Sequence, residues 1–352
     1  MTPVAAGAAT PAGTLVRARR RPTALVAGLV AIALALAVMC AVSLLVGSGD
    51  VPLHDVVQGV FSPDRGIRGQ LVVQEVRIPR TLAGLLAGVA LGLAGTVMQG
   101  IARNPLADPG LLGVNSGAAV TVVFAISVLS LTEPSQYIWF GFLGACVAAT
   151  VVYGVGSLGR DGATPVKLAL SGAATTAILG SLTNAMLLTD SRTFDQFRFW
   201  QVGALGGREP DVLWQALPFI ATGAVLALLL GPSLNALALG DDIARGLGQR
   251  TVAVRLVCAV CVVLLCGAAT AVAGPIGFVG LAVPHAARLV TGPDYKWILP
   301  YSALLAPTVL LFADVVGRVV ARPGEVQAGV VTAALGAIPF VLLVRRRKTV
   351  EL

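Results

Sequence analysis

From Ala24 to Val344, apolar stretches long enough to cross a bilayer follow one another with few breaks. A hydrocarbon core about 30 Å thick takes roughly 20 apolar residues in helical form. Such stretches can be drawn at 23–46, 81–101, 110–131, 137–158, 167–189, 212–234, 252–273, 277–291, 298–320 and 326–344, the eighth being short. The expected fold is an all-α polytopic membrane protein with about ten transmembrane helices. Charged residues make up 12% of the chain, about half their share in soluble domains, which argues against a soluble fold.

The first run, Ala24 to Val46, follows "RARRR" at 17–21, as the core of a signal peptide would. It is longer than the roughly 7–15 apolar residues of such a core, and no convincing small-residue cleavage site follows. It is expected to stay as the first membrane helix. Ten spans place both tails on one side. Arg17, Arg19, Arg20 and Arg21 in front and Arg345, Arg346, Arg347 and Lys348 behind make that side the cytoplasm. The chain then divides into an N-terminal tail (1–22), a membrane domain (23–344) with an inner loop at 237–250, and a C-terminal tail (345–352). On this topology Lys and Arg gather inside and acidic residues outside, as the positive-inside bias requires.

Much familiar chemistry is missing. The five cysteines, Cys40, Cys146, Cys258, Cys261 and Cys266, all fall within apolar runs and read as small packing residues. Cys258 and Cys261 have redox or zinc spacing, but no second pair or nearby histidine completes a site. Of the two histidines, His54 lies in a polar outer loop and His285 in "VPHAARL", without an evident catalytic partner. There is no Gly-x-Ser-x-Gly elbow and no Walker A segment, so the chain itself is not expected to hydrolyse ATP. Charges near mid-span are scarce, which disfavours ion-coupled transport. Asp314 and Arg318, at i and i+4 near the outer end of the ninth span, read as a local ion pair.

Three polar constellations remain. The first is "RNPLADPGLLGVNSG" at 103–117, a proline- and glycine-broken stretch between two spans. The second is "LALGDDIARGLGQR" at 237–250. Asp241 and Asp242 suit the start of a short helix there, Gly246 and Gly248 its end, and Ile243 and Leu247 form a small apolar face. Such a helix fits a partner's groove. The third is a set of outer arginines, Arg77, Arg80, Arg318 and Arg322, suited to snorkelling or to pairing with carboxylates of an external partner. In addition, Gly84, Gly88, Gly92 and Gly95 line one helix face and allow close helix packing. A faint inverted echo aligns Gly110 and Gly113 with Gly277 and Gly280.

At these segments the chain resembles a known family. "VRIPRTLAGLLAGVALGLAGTVMQGIARNPLADPGLLGVNSGA" is similar to the signature of the FecCD family of ABC-importer permeases, which includes BtuC-like proteins. "ALGDDIARGLG", "GPIGFVGLAVPHAARL" and "GVVTAALGAIPF" match further family segments in order. The resemblance runs from about 70 to 352. The segment 325–329 lacks the proline often found before the last helix, and Pro165 stands where the family can carry a small hydroxyl residue.

The resemblance implies a BtuC-like bundle of ten helices. It implies a second permease subunit, a paralogue in preference to an identical copy, two ATP-binding subunits below, and an external siderophore-binding protein above. Asn104, Pro105 and Leu106 match a cytoplasmic gate, and Thr164, Pro165 and Val166 a second inner constriction. Asp241, Asp242, Ala244, Arg245, Gly246, Leu247 and Gly248 match the element that couples to the ATPase. Arg77, Arg80 and Arg318 match positions that dock the binding protein. No cofactor or metal is expected in this chain, since ATP and Mg belong to the partner ATPase, and no nucleic acid is implied. The expected function is the non-catalytic permease subunit of an importer that carries an iron(III)-siderophore across the cytoplasmic membrane. A corrinoid or heme importer is the alternative within the class. An ion-coupled secondary transporter, which needs mid-span carboxylates, and an intramembrane enzyme, which needs a catalytic pair, are alternatives of other classes.

Overall fold

The computed structural model of the chain describes residues 22–62, 64–158 and 164–347. The basic tail residues Arg17, Arg19, Arg20, Arg21 and Lys348 lie outside the described residues, and so do the tails at 1–21 and 348–352.

The described residues form fifteen α-helices and no strand. These are α1 (Pro22–Leu45), α2 (Leu53–Phe61), α3 (Arg68–Val72), α4 (Ile78–Ala102), α5 (Val114–Ser127), α6 (Pro134–Gly156), α7 (Pro165–Leu187), α8 (Ser191–Gln201), α9 (Pro210–Leu229), α10 (Gly231–Ala238), α11 (Asp241–Gly246), α12 (Thr251–Ala273), α13 (Val279–Thr291), α14 (Tyr295–Val320) and α15 (Ala328–Arg347). Each of the ten expected stretches is helical. Among the described residues, seven helices are long and apolar enough to cross a membrane. α5 and α13 are shorter, at 14 and 13 residues.

The ends of the helices follow local chemistry. Pro134, Pro165 and Pro210 open α6, α7 and α9, where a missing N–H costs nothing. Asp190 accepts hydrogen bonds from the backbone N–H of Arg192 and Thr193 at the start of α8. Asp294 does the same for Lys296 at the start of α14.

α4 is the axis of the bundle and packs against α9, α12, α13 and α14. Its glycine face explains how these helices come so close. A Cβ on Gly88 would lie 2.6 Å from the nitrogen of Pro307, and one on Gly92 would lie 2.6 Å from the carbonyl oxygen of Ser302. Further along, Gly95 lies directly against Gly280. Lipid gives no hydrophobic drive for helix association, so van der Waals contact at such faces holds the bundle together. α1, by contrast, buries little beyond Leu25 and Ser43 and presents Val26, Val30, Leu34 and Val38 outward. The five cysteines are free, and Cys258, Cys261 and Cys266 are buried packing residues.

Candidate functional site

The polar stretch after α4 is re-entrant. Arg103 closes α4 in the left-handed conformation, at φ 49°, and the Asn104 N–H donates back to the Gln99 carbonyl at 3.2 Å. The Asn104 side-chain oxygen then accepts the Leu106 N–H at 2.9 Å, which tightens the turn around Pro105. From there the chain runs back up into the bundle. A Cβ on Gly280 would lie 3.3 Å from Pro109 and 3.2 Å from the carbonyl oxygen of Leu91. Leu91 precedes the end of α4 by about 16 Å of helix at 1.5 Å per residue. Pro109 is therefore deep in the protein, and a 3-10 turn, Pro109–Leu112, leads from it into α5. This is why α5 is short, and how irregular backbone is sheltered from lipid.

The same device recurs with the opposite sense. Gly274–Phe278 is irregular between α12 and the short α13, and Gly280 of α13 meets Pro109. The glycine echo in the sequence thus corresponds to two broken helices that meet inside the bundle, an arrangement typical of transporter cores.

The second constriction expected from the sequence begins α7. The Thr164 hydroxyl accepts the Lys167 N–H at 3.4 Å, and Val166 is exposed. Six residues on, Gly172 lies flat against the carbonyl of Leu111. α7 thus runs beside the re-entrant stretch.

At the end of the bundle where α4 closes, α10 and α11 form the connection to α12. Gly240, at φ 105°, and Gly248, at φ 82°, bracket α11 in backbone conformations that suit glycine. Ile243 and Leu247 point outward, 54% and 65% exposed, as the expected apolar face requires. Nothing lies within 4 Å of where a Gly246 Cβ would be. Ala244 faces the other way. It is fully buried and belongs to the contact of α11 with the bundle, not to its free face. Asp242 is exposed, and Arg245 reaches back to it at 3.4 Å. Asp241 is held by two arginines. Arg255 Nη2 donates to both of its oxygens at 2.8 Å, and Arg103 Nη2 lies 3.3 Å from Oδ1.

At the opposite end the arginines Arg77, Arg80 and Arg318 turn inward. They are 4%, 7% and 1% exposed. Arg77 donates to the carbonyls of Leu44 and Leu45 at 2.8 Å and of Gly49 at 2.9 Å. Arg318 donates to the carbonyls of Ser43 and Val46, at 2.9 and 2.6 Å. Those of Ser43, Leu44 and Leu45 are orphan carbonyls at the end of α1, and cations there also suit the helix dipole. Arg80 and Arg318 share the buried Asp314, and Arg80 also binds Glu325 at 2.7 Å. The Asp314–Arg318 pair read from the sequence is present, but sequence reasoning missed Arg80 as its third member. A buried carboxylate in an apolar run was the available signal, because it demands a nearby cation. Arg322 completes the set by donating to the Gly47 carbonyl at 2.7 Å. Arg77, Arg80, Arg318 and Glu325 wall a cavity of about 410 Å³ with the 47–52 loop.

Among the described residues no cluster of His, Cys, Asp or Glu has metal-binding geometry.

Comparison with known proteins agrees with this geometry. Residues 34–346 match the FecCD transport family. The chain is 44% identical over 315 residues to the ferric enterobactin transport system permease protein FepD of Escherichia coli, covering 89% of this chain and 93% of that one. It is 40% identical to the Fe(3+)-citrate import system permease protein YfmD of Bacillus subtilis, covering 88% and 91%. A solved structure described as a metal-chelate type ABC transporter in an inward-facing conformation superimposes with a TM-score of 0.78 at 27% identity, covering 91% of this chain and 99% of that one. On fold, broken-helix core and sequence together, the chain belongs to the FecCD transport family, the membrane-spanning permeases of ABC importers.

Proposed function

We propose that this chain carries a ferric chelate of the siderophore class across the cytoplasmic membrane, both termini facing the cytoplasm. It works beside a second permease, a paralogue in preference to an identical copy. Two ATPase subunits bind ATP and Mg and supply the energy, and an external binding protein delivers the chelate. The relatives named for ferric enterobactin and ferric citrate support the substrate class. Corrinoid and hemin permeases are also related, at 39% and 36% identity, and are the outcomes to be tested against.

The observation that carries the reading is α11. It is a six-residue helix with one buried side chain, an outward apolar pair and an open glycine. That is the form of a ball that fits a partner's socket, and we assign it to the ATPase cleft. Asn104, Pro105 and Leu106 form the inner gate, and Thr164, Pro165 and Val166 a second inner constriction. The end with Arg77, Arg80 and Arg318 receives the binding protein, the arginines acting by fixing the shape of the rim and not by direct contact. Replacing Gly246 with Trp adds bulk where the protein leaves space. The variant permease should remain folded but lose its ATPase subunit on co-purification. Normal association together with normal uptake of a labelled ferric siderophore would remove α11 from this role. Uptake of heme or cobalamin in place of the siderophore would reassign the substrate.

A further inference from the structure

Asp241 is where three segments distant in sequence meet. It is the first residue of α11. Arg255 belongs to α12 and is 9% exposed at the side chain, so it is the fixed side of the contact. Arg103 is the first residue of the re-entrant stretch and lies 3.3 Å away on the other side. Gly240, immediately before Asp241, would place a Cβ 3.9 Å from Arg103 Nη1, so the Arg103 side chain reaches across to the start of α11.

We propose that Asp241 and Arg103 form a strut that transmits displacement of α11 to residues 103–108. The proposal rests on reading α11 as the ATPase seat and 104–106 as the gate. α11 buries Ala244 and little else, so it can shift on the bundle when a partner pulls on it. Without a link, that shift would end in the flexible glycines at 240 and 248. With Asp241 bonded to Arg103, it reaches the turn at Asn104, Pro105 and Leu106. Pro105 stiffens that turn, and the Asn104–Leu106 hydrogen bond makes it move as one piece. Arg255 keeps Asp241 oriented, so that α11 pivots about α12 and does not simply detach. The Arg103–Asp241 pair is 35% and 25% exposed at the side chains. An ion pair so open to solvent adds little to stability, which leaves position as its use.

The test uses the assembled transporter, with its ATPase and loaded binding protein, in proteoliposomes. Arg103→Gln breaks the strut and leaves the Arg255–Asp241 contact intact. Assembly and ATP hydrolysis should be unchanged, while chelate transported per ATP falls on the order of fivefold or more. Arg103→Lys should restore part of the loss. A double-mutant cycle with Asp241→Asn guards against a purely structural defect. If the two residues act through each other, the double variant transports no worse per ATP than the poorer single variant. Wild-type transport per ATP in Arg103→Gln, or losses that simply add in the double variant, overturns the strut and leaves the role of α11 standing. If instead Gly246→Trp keeps its ATPase, the reading of α11 itself fails, and that result is separate.

Discussion

Arg80 of α4 and Asp314 of α14 are 234 residues apart and share one buried contact, with Arg80 Nε 3.0 Å from Oδ2 and Nη2 2.9 Å from Oδ1. Asp314 has no exposed surface, and Arg318 takes its Oδ2 at 2.9 Å. Glu325 pairs with Arg80 at 2.7 Å and supplies the second negative charge. The cluster is thus two cations and two anions at the end of the bundle where α1 terminates.

Asp314→Asn should therefore be strongly destabilising. It leaves two guanidinium groups inside the protein with reduced compensation. Removing one partner of a buried ion pair typically costs about 3–5 kcal/mol. The expected result is a large fall in the thermal midpoint of the detergent-purified permease. Arg80→Met alone should also be costly. The paired change Arg80→Met with Asp314→Leu should recover part of the loss, because it removes both charges together. A midpoint unchanged in Asp314→Asn would show that the cluster carries no stability.

The same cluster sets an acid limit. Burial works to raise the Glu325 carboxyl, but hydrogen bonds from Arg80 and Ser48 and the charges of Arg80 and Arg318 outweigh it and hold it below its ordinary value of 4.5. A carboxylate with a depressed folded-state pKa adds stability above its unfolded pKa. That contribution is lost as pH falls through the folded value. Thermal midpoints measured from neutral pH down into the range below 4.5 should drop more steeply for the native chain than for Glu325→Gln, which cannot titrate. Parallel curves would remove Glu325 as the cause.

The glycine face of α4 makes a contrast within one chemistry. Gly92→Ala would push a methyl to 2.6 Å from the Ser302 carbonyl oxygen. Overpacking of this kind costs about 1–3 kcal/mol or more, and α4 and α14 would have to separate. Gly180→Ala in α7 and Gly154→Ala in α6 meet nothing within 4 Å. These two should be neutral or slightly stabilising, since alanine is the better helix former. Membrane abundance and monodispersity after extraction would distinguish the three variants.

The helices were legible because lipid-facing and core helices are both continuous apolar runs, so composition and length suffice. The glycine spacing in α4 likewise forecast its close packing. Depth was not legible. Nothing in "RNPLADPG" says that Pro109 climbs back to the level of Leu91, because that depends on Gly280, which lies in a different broken helix. The contacts of the arginines were not legible for a related reason. Periodicity relates Asp314 to Arg318 one turn away, but it carries no information about Arg80 or about the end of α1. Ala244 shows the same limit at small scale, since a six-residue helix is too short for its pattern to reveal which face is buried.

The proposed inner gate gives the last prediction. Asn104 is exposed and Leu106 half-buried at the turn below α4. Both closely follow Arg103, the residue of the proposed strut to Asp241. A gate at this point must change its surroundings with nucleotide state, whereas a static connector must not. Cysteines at 104 or 106 can report this once the five native cysteines are replaced by Ala or Ser. Three of those five are buried, so part of the background is already silent to a polar reagent. In the assembled transporter, a maleimide applied from the cytoplasmic side should label position 106 freely in one nucleotide state and much more slowly in the other. A crosslink between position 104 of this chain and the second permease should form in the closed state and trap transport. Reduction of that crosslink should restore uptake. Labelling rates that are equal with and without ATP, together with no crosslink in either state, would show that this stretch is a fixed turn and that the path closes elsewhere.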